Sequence, residues 1–200
     1  ITQTDFDGDG FPYWLEANMY NTSPLINNLG EDADGDGIPI EWEYTFGLWY
    51  NPWYEEYESI WDPFVWDDHV TQDWDKDGLT NIEEYKTWQW GSDPWQQDIF
   101  IEVDQMEIGL KGKGSFVPIE AFDLLRDSYA RHNIVLHIDD GRLGGGEKTI
   151  PFKENLNSND LGLLYWKYFM HGDAQNWRRG VFHWCIVAYN QSRVPGRLAP

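Results

Sequence analysis

The chain has 200 residues and a formal charge of -21, with 41% hydrophobic and 17% aromatic residues. That charge excludes nucleic acid and anionic membrane surfaces as partners, since both call for clustered Lys and Arg. Strongly acidic chains that stay disordered are poor in aromatics. This one carries 13 Trp, 11 Tyr and 10 Phe, so it has the means to build one good core with a smaller appended region. Its carboxylates would repel one another in a compact state, so a cation that the sequence does not supply is expected. Cys185 is the sole cysteine, which rules out an intramolecular disulfide. The first residues, ITQTDFDGDG, lack the basic start and apolar run of a signal peptide, as expected of a cytosolic chain, a mature chain or an internal fragment. No apolar run reaches about 18 residues, so no membrane span is expected. Asn21-Thr22-Ser23 and Asn190-Gln191-Ser192 fit the N-glycosylation pattern, the first weakened by Pro24.

Three acidic segments align without gaps: DFDGDGFPYWLE, DADGDGIPIEWE and DWDKDGLTNIEE. Their spacing is that of an EF-hand loop. Side-chain oxygens come from positions one, three and five, a carbonyl from seven and a bidentate glutamate from twelve, and a glycine at six makes the sharp turn. The first loop offers Asp5, Asp7, Asp9, the Phe11 carbonyl and Glu16. The second offers Asp32, Asp34, Asp36, the Ile38 carbonyl and Glu43. The third offers Asp73, Asp75, Asp77, the Leu79 carbonyl and Glu84, with Asn81 at position nine. Solvated turns would use Asp and Gly in the same way, but they have no need of a glutamate at position twelve. A hard cation needs roughly six to eight oxygens, which points to about three Ca2+ ions and disfavours magnesium.

FPYWLEANMY, IPIEWEYTFG and LTNIEEYKTW each leave room for only two or three helical turns after their loops. Pro12 and Pro39 suit a first helical turn, while Asn21 and Gly47 suit helix ends. So short a loop–helix unit cannot open a long groove as a calcium sensor does, and the ions are expected to be structural. DADGDGIPIEWEYTFG and DWDKDGLTNIEEYKTWQWGSDP resemble the bacterial and archaeal calcium repeats akin to thrombospondin type 3 repeats, over about residues 1–95. That resemblance implies a secreted or cell-surface location. The chain departs from the tandem form by inserting NPWYEEYESIWDPFVWDDHV before the third loop, where Asp67 and Asp68 offer either outer ligands or a solvated turn.

After Gln97 the rhythm changes. DIFIEVD alternates as a strand with Ile99, Ile101 and Val103 on one side and Glu102 and Asp104 on the other. VPIEAFDLLRDSYARHN is helical, with a stripe of Ile119, Phe122, Leu125 and Tyr129 and with Pro118 near its start. NIVLHID reads as a buried strand, LGLLYWKYFMH as a second helix and GVFHWCIVAYN as a strand. The β-α-β-α-β order predicts a layer with at least partly parallel strands. The predicted class is therefore α+β. Calcium loop–short helix repeats at 1–95 precede a partial α/β layer of about three strands and two helices at 96–200.

No compact catalytic motif emerges. IDDGRLGGGE has a glycine cluster but no nucleotide-loop pattern, and Asp139, Asp140, Glu147 and Glu154 would repel phosphate. His183 and Cys185 share a strand face, which fits packing better than Cys–His chemistry. His132, His137 and His171 give no zinc spacing, and no serine sits in an activating motif. Glu102 and Asp104 could meet Asp139 and Asp140 around a fourth cation, or could line a solvated edge.

QDIFIEVDQM, NIVLHIDDG and RRGVFHWCIVAY together resemble the part preceding the zinc helix in secreted metalloproteases of the zincin type, over roughly residues 97–190. That family uses HExxH for two zinc ligands and the general base. The motif is absent here, so no family catalytic residue transfers to this sequence, and zinc is expected only if a downstream segment supplies ligands. The reading is an extracellular or cell-surface calcium module, forming the upstream part of a metalloprotease-like protein or of a calcium-dependent relative with another role. The alternative is a cell-surface structural or adhesive protein that self-associates through stretches such as WYNPWYEEY.

Overall fold

A computed structural model describes residues 4–54, 56–114, 116–145 and 149–191. The chain divides into two compact units, Ile1–Trp95 and Gln96–Pro200. The fold has both helices and strands, in agreement with the α+β expectation.

In the first unit α1 spans Tyr13–Leu15 and runs into a wider π-type turn at Glu16–Tyr20. Asn21 ends it in the left-handed region at φ 53°, where an asparagine is tolerated. Helix α2 spans Ile40–Gly47 and α3 spans Asn81–Thr87, the latter followed by a 3-10 turn at Trp88–Trp90. Pro12 and Pro39 occupy the N-cap positions in extended conformation, one residue earlier than a first-turn proline. Thr80 caps α3 in a reciprocal capping box with Glu83.

The inserted segment is not a plain loop. It contributes to a two-stranded antiparallel hairpin, β1 at Leu48–Asn51 and β2 at Glu56–Ser59, with Leu48 opposite Ser59. It then delivers Trp61 into the core. Trp61 and Trp42 are fully buried and stacked with ring centroids 5.1 Å apart, beside Ile38 of the second loop. Phe11, Leu15, Tyr20 and Ile40 form a neighbouring cluster. The residues at position seven of the loops, Phe11, Ile38 and Leu79, are all buried, so each loop is anchored to packed side chains beside its ligands.

The second unit is a four-stranded sheet around β3, Asp98–Met106. Strand β4, Val135–Asp139, pairs with its first half, and the short β5, Thr149–Ile150, pairs with its end. Strand β6, Phe182–Val187, pairs along Phe100–Gln105. That span overlaps both other partners, so β4 and β5 share the opposite edge. Every pairing is parallel, which goes beyond the partly parallel expectation. Helix α4, Ile119–Ala130, makes the crossover from β3 to β4. Helix α5, Ser158–Leu164, continues as a π-type turn to Phe169, and the short α6, Arg178–Val181, leads into β6. The layer therefore holds more strands than the sequence suggests, because β5 is only two residues long.

Two packing expectations change. A central strand of a parallel sheet is covered on both faces, so Phe100, Glu102 and Asp104 are buried as well as Val103. On α4 only Phe122 of the stripe is buried and Tyr129 half-buried, while Ile119 and Leu125 are exposed. Among the described residues no helix is long and apolar enough to cross a membrane.

Gly47 closes α2 directly against Trp61: an added Cβ would lie 2.9 Å from the Trp61 carbonyl oxygen and 3.0 Å from its nitrogen. Backbone cannot yield as a flexible side chain does. Gly47→Ala is expected to destabilise the first unit by about 1–3 kcal/mol, seen as a lower melting temperature than that of the unmodified chain in the same buffer.

Candidate metal centre

The three acidic loops share one hydrogen-bond scheme. In each, the position-one aspartate accepts two N–H groups, from positions four and six. Asp5 accepts from Gly8 and Gly10 at 2.7 and 3.0 Å, and Asp32 accepts from Gly35 and Gly37 at 2.7 and 3.0 Å. Asp73 accepts from Lys76 and Gly78 at 2.8 and 3.1 Å. The position-five aspartates Asp9, Asp36 and Asp77 each accept the N–H of position seven, from Phe11, Ile38 and Leu79 at 2.9, 3.0 and 2.7 Å. The sharp turn sets the glycines of position six in the left-handed region, with φ of 92°, 100° and 99° at Gly10, Gly37 and Gly78. Lys76 takes the same region at φ 65°, where the other two loops have glycine.

This scheme folds the acids inward. Asp5, Asp7 and Asp9 bring carboxylate oxygens within 4.8 Å of one another, as do Asp32, Asp34 and Asp36, and Asp73, Asp75 and Asp77. The position-twelve glutamates come from the helices. Glu16 and Glu43 are fully buried and Glu84 is 1% exposed. Glu84 accepts a short hydrogen bond from the Ser92 hydroxyl. Both oxygens of Glu43, one of Glu16, both of Asp7 and one of Asp34 are buried without a hydrogen-bond partner. Burial and the neighbouring aspartates push the carboxyls of Asp7 and Glu16 up. Burial pushes Glu43 up to about 7, with His69 pulling against it. Asp5 moves the other way, held down by the Gly8 and Gly10 N–H groups. A buried carboxylate oxygen left without a donor costs on the order of 1–3 kcal/mol or more. Each set of acids thus fits a hard divalent cation by donor type, and the first two sets do so by their unmet oxygens as well.

The second loop has an addition that its own twelve residues do not contain. His69, fully buried, reaches in from the insert with Nε2 3.2 Å from Asp36 Oδ2 and 3.6 Å from Glu43 Oε1. Asp36, Glu43 and His69 together form a buried group able to hold a metal. Burial disfavours a charge on the ring, but Glu43, Asp36 and Asp67 outweigh it and raise its pKa. The sequence alone gave little sign of His69, because it lies 26 positions beyond Glu43 and matches no ligand spacing. Asp67 does contribute, though through its backbone: its N–H donates to Asp36 Oδ2 at 3.2 Å. Asp68 accepts from the Thr71 N–H and hydroxyl, the solvated-turn alternative.

Asn81, at position nine of the third loop, turns its amide nitrogen toward the insert and leaves its Oδ1 buried without a hydrogen-bond partner. Its amide nitrogen lies 2.8 Å from His69 Nδ1 and 3.2 Å from Gln72 Oε1.

In the second unit the four-acid cluster meets a cation from the chain itself. The buried Arg178 guanidinium donates to Glu102 Oε2 at 2.7 and 3.0 Å, to Asp139 Oδ2 at 2.5 Å and to the Leu143 carbonyl at 2.8 Å. The glycine-rich turn after β4 wraps Asp139, whose oxygens accept N–H groups from Gly141, Leu143 and Gly145. Those glycines serve a carboxylate where a phosphate loop would serve a ligand. Glu147 lies outside the described residues. Asp104 accepts from the Trp184 indole at 2.7 Å, and Asp140 pairs with Arg142 at the surface. The clue available in the sequence was Glu102 and Asp104 on one strand face, open to a cation or to a solvated edge, and nothing marked Arg178 over the other arginines.

His183 and Cys185 share a face of β6, but that face is exposed, so the packing expectation fails for both. Partial desolvation and the Asp104 carboxylate raise the Cys185 pKa, opposite to what an activated thiol needs. His137 pairs with Asp98 at 2.5 Å and stacks on Phe100, a packed polar pair between β3 and β4.

Burial pushes Glu102 up to about 7, against the pull of Arg178. A carboxyl whose folded pKa lies above its unfolded value binds more protons when folded, so its contribution to stability is lost as pH rises through that range. The wild-type chain is expected to lose stability relative to Glu102→Gln between about pH 5 and pH 8 in denaturant titrations with calcium saturating. Parallel pH profiles would contradict this.

Comparison with protein-family models, with curated proteins and with solved structures finds no match to this chain.

Proposed function

We propose that residues 1–95 form an extracellular calcium-binding module whose ions, one in each acidic loop, are structural. The observation that carries this reading is the pair of fully buried glutamates, Glu16 and Glu43, which leave one and both of their oxygens, respectively, without donors and close loops already lined by inward aspartates. Oxygen-only sets such as that of the first loop, with many carboxylates on a flexible loop, favour calcium over magnesium. The ions hold the packing together, since Phe11, Ile38 and Leu79 sit in or beside the core within the same loops. Extracellular modules of this kind bind calcium at roughly 10⁻⁴–10⁻³ M, which keeps them loaded outside a cell.

The parallel β-α-β layer of the second unit supports its reading as the upstream part of a secreted metalloprotease-like protein. No catalytic role falls to a residue of this sequence, and zinc would enter only with ligands from a downstream segment. The alternative, a self-associating surface protein, draws on the exposed Trp49, Trp53 and Tyr54 near the hairpin. Calcium-induced self-association in sedimentation would favour it, and a monomer would favour the first reading.

Native mass spectrometry is expected to count three calcium ions that leave with EDTA. Each site at roughly 100 times its dissociation constant adds about 2.7 kcal/mol to stability. EDTA should therefore lower the melting temperature sharply, and Glu16→Gln or Glu43→Gln should each remove about one ion's share. An unchanged melt in chelator would overturn the structural-calcium reading.

A further inference from the structure

The donors around His69 have a fixed order. The Trp61 and Trp74 indoles both point N–H groups at one side-chain atom of Gln72, at 3.0 and 3.1 Å. An indole nitrogen only donates, so that atom is the Gln72 oxygen. The Asn81 atom 3.2 Å from that oxygen must then be its NH2 group. The same NH2 lies 2.8 Å from His69 Nδ1, which therefore accepts. The neutral ring then carries its proton on Nε2, which lies 3.2 Å from Asp36 Oδ2 and 3.6 Å from Glu43 Oε1 without making a hydrogen bond to either. In this state Nε2 has no lone pair to offer a metal. His69 thus acts on the second loop by setting the positive edge of its ring beside the two carboxylates, and not as a ligand.

Both ends of this relay lie beside a candidate ion. Asn81 is two residues past the Leu79 carbonyl of the third loop and is the first residue of α3. Its own N–H donates to the Gln72 carbonyl, and the next N–H, from Ile82, donates to the His69 carbonyl at 3.2 Å. At the other end, Asp36 and Glu43 are positions five and twelve of the second loop. The Ile82 side chain also lies against Gly37, 3.2 Å from where a Cβ would stand. An ion that orders the third loop and the start of α3 fixes Asn81, and Asn81 fixes the ring that lies against the second loop's carboxylates. Linkage makes that effect reciprocal.

We propose that His69 is a positioning residue that couples calcium binding in the second and third loops, through Asn81, so that the two fill as one cooperative pair. The proposal rests on the calcium reading above. Without the insert that carries His69, the second loop would lack this neighbouring ring, which gives the insert a role in ion binding.

The position-six glycines make the test site-resolved. The Gly10, Gly37 and Gly78 N–H groups each donate to the first aspartate of their own loop, so their amide signals report the three loops separately. The full chain, labelled with nitrogen-15, is titrated with calcium alone and followed by NMR. Gly37 and Gly78 are expected to move together with one steep midpoint. Asp73→Ala, which removes a third-loop ligand, should weaken the Gly37 midpoint by roughly 5-fold or more, the lower end of typical coupling. Asn81→Ala and His69→Gln leave every aspartate and glutamate of the loops in place. Each should split the Gly37 and Gly78 midpoints, which a merely structural role would shift together. Circular dichroism in saturating calcium checks that each variant is folded, and Glu84→Gln replaces Asp73→Ala should the latter fail that check. Independent Gly37 and Gly78 midpoints in the unmodified chain, or a Gly37 midpoint indifferent to loss of the third loop, would overturn the coupling alone. Glycine signals that ignore calcium altogether would overturn the calcium reading itself.

Discussion

Carboxylates without donors are the constraint on which the first unit depends. Glu16 and Glu43 are taken out of water completely by the helices that follow their loops, and they face aspartates of the same sign. Desolvating a charge is costly unless an opposite charge meets it. The loops cannot open to let water in without pulling Phe11 and Ile38 out of the aromatic core. Core packing and ion binding are thus two sides of one equilibrium. That is the physical sense in which we propose the ions to be structural.

The second unit meets the same difficulty by different means. Glu102 and Asp139 are equally buried, but Arg178 lies between them and the turn after β4 supplies three N–H groups to Asp139. A guanidinium is permanent and planar, and it donates in several directions at once. The contrast separates the two units chemically: the proposed calcium dependence belongs to the first, whereas the second carries its own buried cation.

The insert between the second and third loops shows how tertiary structure assigns roles that spacing does not. Within it Trp61 fills the core, the Asp67 N–H donates to Asp36 with the His69 ring beside it, and Trp53 and Tyr54 stay exposed. All three behaviours come from one aromatic and acidic stretch. Composition gives no way to sort them, because burial depends on which neighbour arrives from elsewhere in the chain.

Local geometry made much of this protein legible in its sequence. An aspartate at position one, a glycine at six and a glutamate at twelve act over one turn of chain, and all three loops show the resulting N–H pattern. The strand β3 and the helix α4 follow from apolar periodicity, and β4, β6 and α5 from apolar runs and residue preference. What only the tertiary structure decided are the encounters between distant residues. Arg178 meets Glu102 across 76 positions, and His69 meets Asp36 and Glu43 from outside their loop. It also settled which face of β6 is exposed and how little of the α4 stripe is covered. Backbone turns and periodicity are written in neighbouring residues. The partner of a buried charge is set by long-range packing, which leaves no mark at either position alone.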